Sequence, residues 1–533
     1  MLVSSHGGGI GIRARLRSVY PKGFVGSSPT HGTKKERMAD ALVPRPREAG
    51  GGNPMEVQVL SPAPIHNVHR KWYNSMMTQI ASPWLTQLTK RRPFALEHDA
   101  GAQVAIVGGG IAGLSTAAYL MKDTNLSVIL VEAGRIAHGA TGHNAGQLVA
   151  DFERPLSSMI EEYGLGPSVR AQTEVEGGWI GAEWLISSFG LQTPLHRCQG
   201  FAGFSTFEQV RSHLDAASLR LSHGMHREPL IVAVGSEADR ALGRADDSMV
   251  VRMPHSVVLR LLHTDDPSFM AAATSPKGCM NSAMFCEELA GSLLARYPGR
   301  FTIAEHLPVQ EVVIEGDGVV LKTDGPSVRA DSVVLCTNGF ENIHLTNAEG
   351  PNIDRSFHRM VRSLIGYMGG YVGNAGEPVM AISYFRNNKH ELDPNNNRYT
   401  YLTRRPYEHQ GTESTLLCVG GPERYLPEGA DYDPLASFPA DVEEEIDRAF
   451  EATYRMSPQS PLVNTFRWHG VMGFTPTYIR CVGRDPRSER LLYNLGCNGV
   501  GILPSIAGGR RIARILSGAS LEPSLFDPEV QMR

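Results

Sequence analysis

No stretch of this 533-residue chain approaches the ~18 consecutive apolar residues of a membrane-spanning helix, so a transmembrane segment is excluded. Cysteine is sparse: seven residues, an odd number with no Cys-x-x-Cys pair, which argues against a disulfide scaffold or a zinc site. A reducing, cytoplasmic setting fits that usage. Positive charge is also missing where a nucleic acid would need it. Of the net −4, residues 1–50 carry +6 (nine Lys/Arg against three acids), which leaves −10 on the remaining 483. Such a body lacks the clustered Lys/Arg that neutralises phosphates, so neither DNA nor tRNA is an expected partner. No repeat of solenoid or propeller period occurs. What remains is an ordinary globular composition, 41% hydrophobic and 20% charged.

The first 60 residues differ from the rest. Twelve of the first fifty are Gly or Pro, and apolar periodicity is absent, so 1–60 is expected to be a disordered or spurious leader, with Met38, Met55 or Met76 as alternative starts. Residues 61–102 are expected to form an extension packed on the body. From Gln103 onward strand and helix patterns alternate, which indicates an α/β sheet. The runs Gln103–Val107, Leu126–Val131, Val309–Ile314, Val319–Thr323, Ser332–Leu335 and Leu491–Leu495 read as strands. Ile111–Met121, Asn281–Tyr297 and a segment ending at Leu516 read as helices. The expected architecture is α/β: a Rossmann-like cofactor domain from 103–150, 276–345 and 465–520, interleaved with an α+β substrate domain from 151–275 and 346–464. A tail, 521–533, follows.

The most informative motif is Gly108-x-Gly110-x-x-Gly113, which follows a strand, opens a helix, and has Glu132 twenty-two positions beyond Gly110. Gly108 permits a tight turn, Gly110 lets backbone approach a pyrophosphate, and Gly113 allows close helix–strand packing. The helix N-terminus, with Ile111 and Ala112 in its first turn, offers N–H groups and partial positive charge to phosphates. Glu132, followed by Ala133, ends the second strand. It can accept from ribose hydroxyls and would repel the 2′-phosphate of NADP. A glycine-rich structural turn is the alternative.

Between NAD and FAD the next loop discriminates. Gly139-Ala140-Thr141-Gly142-His143-Asn144-Ala145-Gly146-Gln147 resembles the glycine-rich stretch of the D-amino-acid oxidase-like superfamily of FAD-dependent oxidoreductases, in the pattern of γ-glutamylputrescine oxidoreductase- and sarcosine oxidase-like proteins. The likeness recurs at Val309-Gln310-Glu311-Val312, at Cys336-Thr337-Asn338-Gly339, at Trp468-His469-Gly470 with Thr475-Pro476, and at Gly496-Cys497-Asn498-Gly499-Val500-Gly501 leading into a helix at Ile502. It implies the D-amino-acid oxidase-like two-domain fold and FAD as cofactor. It also implies cofactor contacts from Ala140 to Asn144, at Val309, from Thr337 to Gly339 and from Gly499 to Ile502. Valine at the Val309 position meets adenine through its backbone in that family, and the last helix aims its N-terminus at the flavin edge that gathers charge on reduction.

The resemblance further implies oxidation of the C–N bond of an amine or amino acid by hydride transfer to flavin N5, followed by imine hydrolysis. The expected partners are a small-molecule amine or amino-acid substrate and oxygen or another electron acceptor. An NAD-linked dehydrogenase and a non-catalytic flavoprotein acting in assembly are the alternatives. No catalytic triad is visible, and flavin amine oxidation needs none. His143 allows three readings: a noncovalent contact to the cofactor, a covalent link to FAD, or a structural histidine. Cys279, Cys286 and Cys481 are expected to be small buried hydrophobes. Arg404, Arg405 and Arg480, candidates for a substrate carboxylate, are expected to be solvated charges. Tyr401, Trp468 and Tyr478 could wall a pocket or belong to the core.

Overall fold

The computed structural model describes residues 79–532 except 226–228, 244–247, 341, 387–398, 428–429 and 456–460. The expectations for the leader and for 61–78 therefore lie outside the described residues. All described residues belong to one unit, His66–Arg533. Its strands form two sheets, of nine and eleven strands.

The nine-stranded sheet begins with Ala100–Val107, whose last four residues are all buried, as a strand covered on both faces requires. It pairs in parallel with Val128–Val131 on one side and Val328–Leu335 on the other. Phe301–Ala304 extends the parallel run, and Leu491–Leu495 pairs in parallel with the end of Val328–Leu335. Val309–Glu315 and Gly318–Thr323 form an antiparallel hairpin on the same sheet. Val107 lies level with both Val131 and Leu335, so the C-terminal ends of three strands open on one edge. In open α/β sheets that edge is where ligands bind. Two helices cover one face, Ile111–Asp123 and Ile502–Leu516. They approach closely: a Cβ on Gly509 would stand 2.7 Å from Thr116 N, and Ser115 Oγ donates to Ser505 O at 3.3 Å. A third helix, Ser282–Arg296, starts at Asn281, whose Oδ1 caps the N–H groups of Ala283 and Met284. These elements follow the sequence expectations to within a few residues, and the strand at 332–335 proves longer, from Val328.

The eleven-stranded sheet takes strands from widely separated stretches. Tyr399–His409 and Thr412–Tyr425 form its long hairpin, and Arg362–Gly373 pairs antiparallel with both Thr412–Tyr425 and Val463–Phe474. The chain thus leaves this sheet at Phe474 and enters the smaller one at Cys481, inside the stretch assigned above to the cofactor domain. Gln79–Ile80 adds a parallel edge strand to Val463–Phe474. Cys279, Cys286 and Cys481 are fully buried, as expected. No helix among the described residues is long and apolar enough to cross a membrane.

Candidate cofactor and substrate site

The fingerprint glycines are each constrained by contacts. Gly108 sits at φ 111°, a backbone region that L side chains avoid, and a Cβ there would lie 2.7 Å from the carbonyl oxygen of Cys336. A Cβ on Gly113 would run into the carbonyl oxygen of Gly108, so the helix can approach the strand only with glycine at that position. Gly110 is the N-cap and supplies no side-chain bond. Thr141 Oγ1 accepts the Ile111 N–H at 3.0 Å, whereas the N–H groups of Ala112 and Gly113 have no acceptor among the described residues. A helix start with free donors is the local condition for anion binding.

Glu132 is half-buried at the end of Val128–Val131, and its carboxylate accepts N–H bonds from Gly109 at 2.6 Å and Gly134 at 2.8 Å. Burial pushes its carboxyl up, and the two backbone donors oppose that. Ala133 beside it is exposed. Leu307 N–H bonds Glu132 O at 3.0 Å, which brings Val309, buried at the start of its strand, toward the same end of the sheet.

The loop after Glu132 folds back over the helix start. Ala140–Gly142 is a turn of 3-10 helix, and Asn144 Nδ2 fastens it by donating to Thr141 O at 2.8 Å and Ser282 Oγ at 2.9 Å. Asn144 O accepts from the indole N–H groups of both Trp84 and Trp468. Ser82 also bonds Gly142 O, so the segment just after the edge strand Gln79–Ile80 lies on this loop. His143 Nδ1–H donates to Gly139 O at 2.9 Å, which leaves Nε2 as the free ring nitrogen, and burial lowers its pKa. A Cβ on Gly470 would stand 2.8 Å from His143 Cβ, so the late Trp-His-Gly strand touches the loop through that glycine.

Two further segments meet at the same edge. Asn338, at φ 54°, accepts the Cys497 N–H on Oδ1 at 3.0 Å, and Asn498 Oδ1 accepts the Thr475 N–H at 2.7 Å. The first bond holds Thr337–Gly339 against Gly496–Gly501, and the second ties that glycine segment to Thr475. Thr337 Oγ1 is buried without a partner among the described residues. The last helix begins at Ile502 with Gly501 as a bare N-cap; Pro504 has no N–H to satisfy in that first turn. Free helix-start donors, an orphaned hydroxyl and a cradle closed to Cβ atoms together suit an extended, phosphate-bearing group. The structure thus gathers Gly108–Gly113, Glu132 and Ala133, Ala140–Asn144, Val309, Thr337–Gly339 and Gly499–Ile502 around one sheet edge.

The three arginines expected to be solvated are instead buried, each 4% exposed. Arg404 and Arg405 lie within a long interior strand and not beyond its end. Arg404 is met by Pro378 O and Glu377, and Arg480 by the side chain and carbonyl of Asn494. Arg405 stacks 5.0 Å over Trp84, and its Nη1 has no bond among the described residues. Trp468 is core at 1% exposure, Tyr401 is half-buried, and Tyr478 is 38% exposed.

Facing the cofactor loops are residues that no motif marked. Lys277, on Ala271–Cys279, is buried, with Nζ 3.1 Å from Ser383 Oγ. Glu153, six residues beyond Gln147, accepts from the Tyr399 hydroxyl at 2.8 Å. The only signals in the sequence were a lone lysine in a run of small residues and an acid shortly after the glycine loop.

The sequence profile of the FAD dependent oxidoreductase family (DAO) matches residues 103–515. Among curated proteins, the γ-glutamylputrescine oxidoreductase of Escherichia coli K12 is 35% identical over 107 residues, 20% of this chain and 25% of that protein. Thiamine thiazole synthase 2 of Zea mays is 30% identical over 151 residues, 28% of this chain and 41% of that one. These matches thus span a quarter to about two fifths of the relatives' own lengths. Among solved structures, glycine oxidase from Geobacillus kaustophilus superposes with TM-score 0.56 at 17% identity, covering 80% of this chain and 98% of its own. L-proline dehydrogenase from P. horikoshii gives TM-score 0.55 at 16% identity, covering 81% and 98%. At such identities they show the fold: an FAD-binding domain interleaved with a substrate domain. The cradle, the fold and the profile over most of the chain agree, and the NAD-linked alternative falls: the chain belongs to the DAO family of FAD-dependent oxidoreductases.

Proposed function

We propose that this enzyme oxidises the C–N bond of a small amine or amino acid. The observation that carries this reading is a polar cluster beside the cofactor segment: Glu153, against Gly499, accepts from Tyr399 of the larger sheet, and Tyr401 and Lys277 stand on strands of that same sheet, a set suited to a charged small molecule. Bound FAD would supply the acceptor for the two electrons and the hydrogen removed with them. The chain's own residues would hold and orient. Glu132 would accept ribose hydroxyls, the first-turn donors of Ala112 and Gly113 would meet the pyrophosphate, and Thr337 would give its unpartnered hydroxyl to the cofactor. His143, tied through Nδ1–H to Gly139, would make a noncovalent contact. The larger sheet would position the substrate and exclude water, and the imine product would hydrolyse in solvent. Oxygen or a second electron acceptor would close the cycle.

The test is direct. The protein is loaded with FAD and mixed without oxygen with a panel of amines and amino acids. Loss of the visible flavin absorbance with at least one member is expected; a yellow protein that none of them bleaches would contradict the reading and favour a structural flavoprotein.

A further inference from the structure

Two ionisable groups near the cofactor segment lie within range of each other's charge and are not paired with each other. Lys277 is 6% exposed. Its stem lies across Gly200, where a Cβ would stand 2.9 Å from Lys277 Cβ, so the glycine makes room for a long chain on a crowded sheet face. Its ammonium has two neutral acceptors, Ser383 Oγ at 3.1 Å and Phe201 O at 3.4 Å, and no carboxylate within 4 Å among the described residues. A buried ammonium in that state is costly unless a counter-charge arrives.

Glu153 comes from the other side. Its carboxylate abuts the cofactor segment: Gly499, at φ 78°, would put a Cβ 2.8 Å from Glu153 Oε1. The same oxygen accepts from Tyr399 Oη at 2.8 Å. Burial pushes Glu153 up to about 7 and Lys277 down to about 8, and each feels the other's charge without contact. Asp151 acts on both through its charge, on Lys277 more than Glu153 does, but is in contact with neither. Asp151 is at the rim and engaged with Arg220 at 3.2 Å, and Arg154 turns away to Ser158 and Glu162. Tyr401 lies beside Tyr399, Cys198 faces Lys277 across the strand pair, and Glu423 acts on both tyrosines from farther along the sheet. A carboxylate beside the cofactor segment and a nearby ammonium held only by neutral acceptors fit a guest carrying both opposite charges.

Resting on the function proposed above, we propose that Glu153 receives the substrate's ammonium and takes one proton from it, that Tyr399 positions Glu153, and that Lys277 receives a carboxylate of the same molecule. The substrate class is then an amino acid and not the corresponding amine without its carboxylate. In the proton step one N–H bond of the ammonium breaks and one O–H bond forms on Glu153. The products are the neutral amine and the carboxylic acid, and no electrons are exchanged.

The test separates the two charges by using FAD-loaded enzyme and two probes, acetate and methylammonium, with flavin difference spectra as the binding readout. Acetate affinity is expected to fall about tenfold in K277M, to persist in K277R and in E153Q, and to weaken as pH rises through about 8. Methylammonium affinity is expected to rise with pH through about 7 in the wild type and in K277M, and to be weak and flat in E153Q. Y399F is expected to shift that inflection upward by removing the hydroxyl that stabilises the charged form. Flavin content equal to wild type certifies each variant's fold, and if K277M does not load FAD, the methylammonium profile of E153Q decides alone. Unchanged probe binding in E153Q and K277M would overturn the assignment while leaving amine oxidation intact. Normal probe binding with no bleaching by any amine or amino acid would overturn both.

Discussion

At the scale of single residues, the glycine fingerprint and the histidine beside it give the sharpest tests. Gly113→Ala would drive a methyl group into the carbonyl oxygen of Gly108, backbone that cannot rotate away. Overpacking of this kind costs about 1–3 kcal/mol or more, and here the strain falls on the turn that holds the cofactor. The variant is expected to purify with reduced flavin, measured as bound FAD per protein. His143 bears on attachment. Its Nδ1–H is committed to Gly139 O and Nε2 is not, so the noncovalent contact proposed above is a separate claim, under which acid precipitation of the FAD-loaded protein should leave all the yellow colour in the supernatant. Colour in the pellet would establish a covalent link. These residues were legible because a local motif imposes them: glycine where backbone must pass backbone, an acid at a strand end. Lys277, Glu153 and Tyr399 were not, since nothing in their neighbours along the chain says that two distant strands and a loop come together beside the cofactor segment.

At the scale of elements, the segment between the strands Gln79–Ile80 and Ala100–Val107 clamps the cofactor edge. Arg91 reaches Glu305 at 2.6 Å and Glu287 at 2.7 Å, and Glu305 also accepts the N–H groups of Phe94 and Ile136. Burial pushes the Glu305 carboxyl up, but the bonds from Arg91, Ile136 and Phe94 outweigh it and hold it at about 2. Arg91→Ala would leave a buried carboxylate short of its main partner, at a cost of about 3 kcal/mol, read as a lower Tm. Because the folded pKa lies below the unfolded value of about 4.3, the clamp stabilises fully above that value. Its contribution is lost as pH falls through about 2, so the wild-type advantage over Arg91→Ala should shrink on acidification. Elements themselves were largely readable, since their patterns are local: the helix Ser282–Arg296 by its apolar spacing, buried strands as continuous apolar runs. The sheet membership of Val463–Phe474 was not, because strand pairing is set by partners about a hundred residues away.

At the scale of the whole molecule, the account explains how a body of net negative charge accommodates an anionic cofactor. The donors around the cradle are backbone N–H groups at the starts of Ile111–Asp123 and Ile502–Leu516, whose first turns touch through Ser115 and Ser505. Charged side chains sit elsewhere in the interior, and that is where a sequence reading fails most. Arg404, Arg405 and Arg480 look like surface residues until the long strands and the crossing between sheets place them inside. Composition gives the class of molecule and the glycine loops give the cofactor. The polar cluster beside the cofactor segment exists only once both sheets are assembled.

The claim at the centre of this account is that FAD held in the cradle receives electrons from the C–N bond of a small molecule bound at that cluster. A single turnover without oxygen tests it most directly: FAD-loaded enzyme in excess is mixed with a bleaching amino acid, and the carbonyl product is counted against reduced flavin. The account predicts one carbonyl compound for each flavin reduced. Flavin that stays oxidised, or bleaches without a matching carbonyl product, would contradict it.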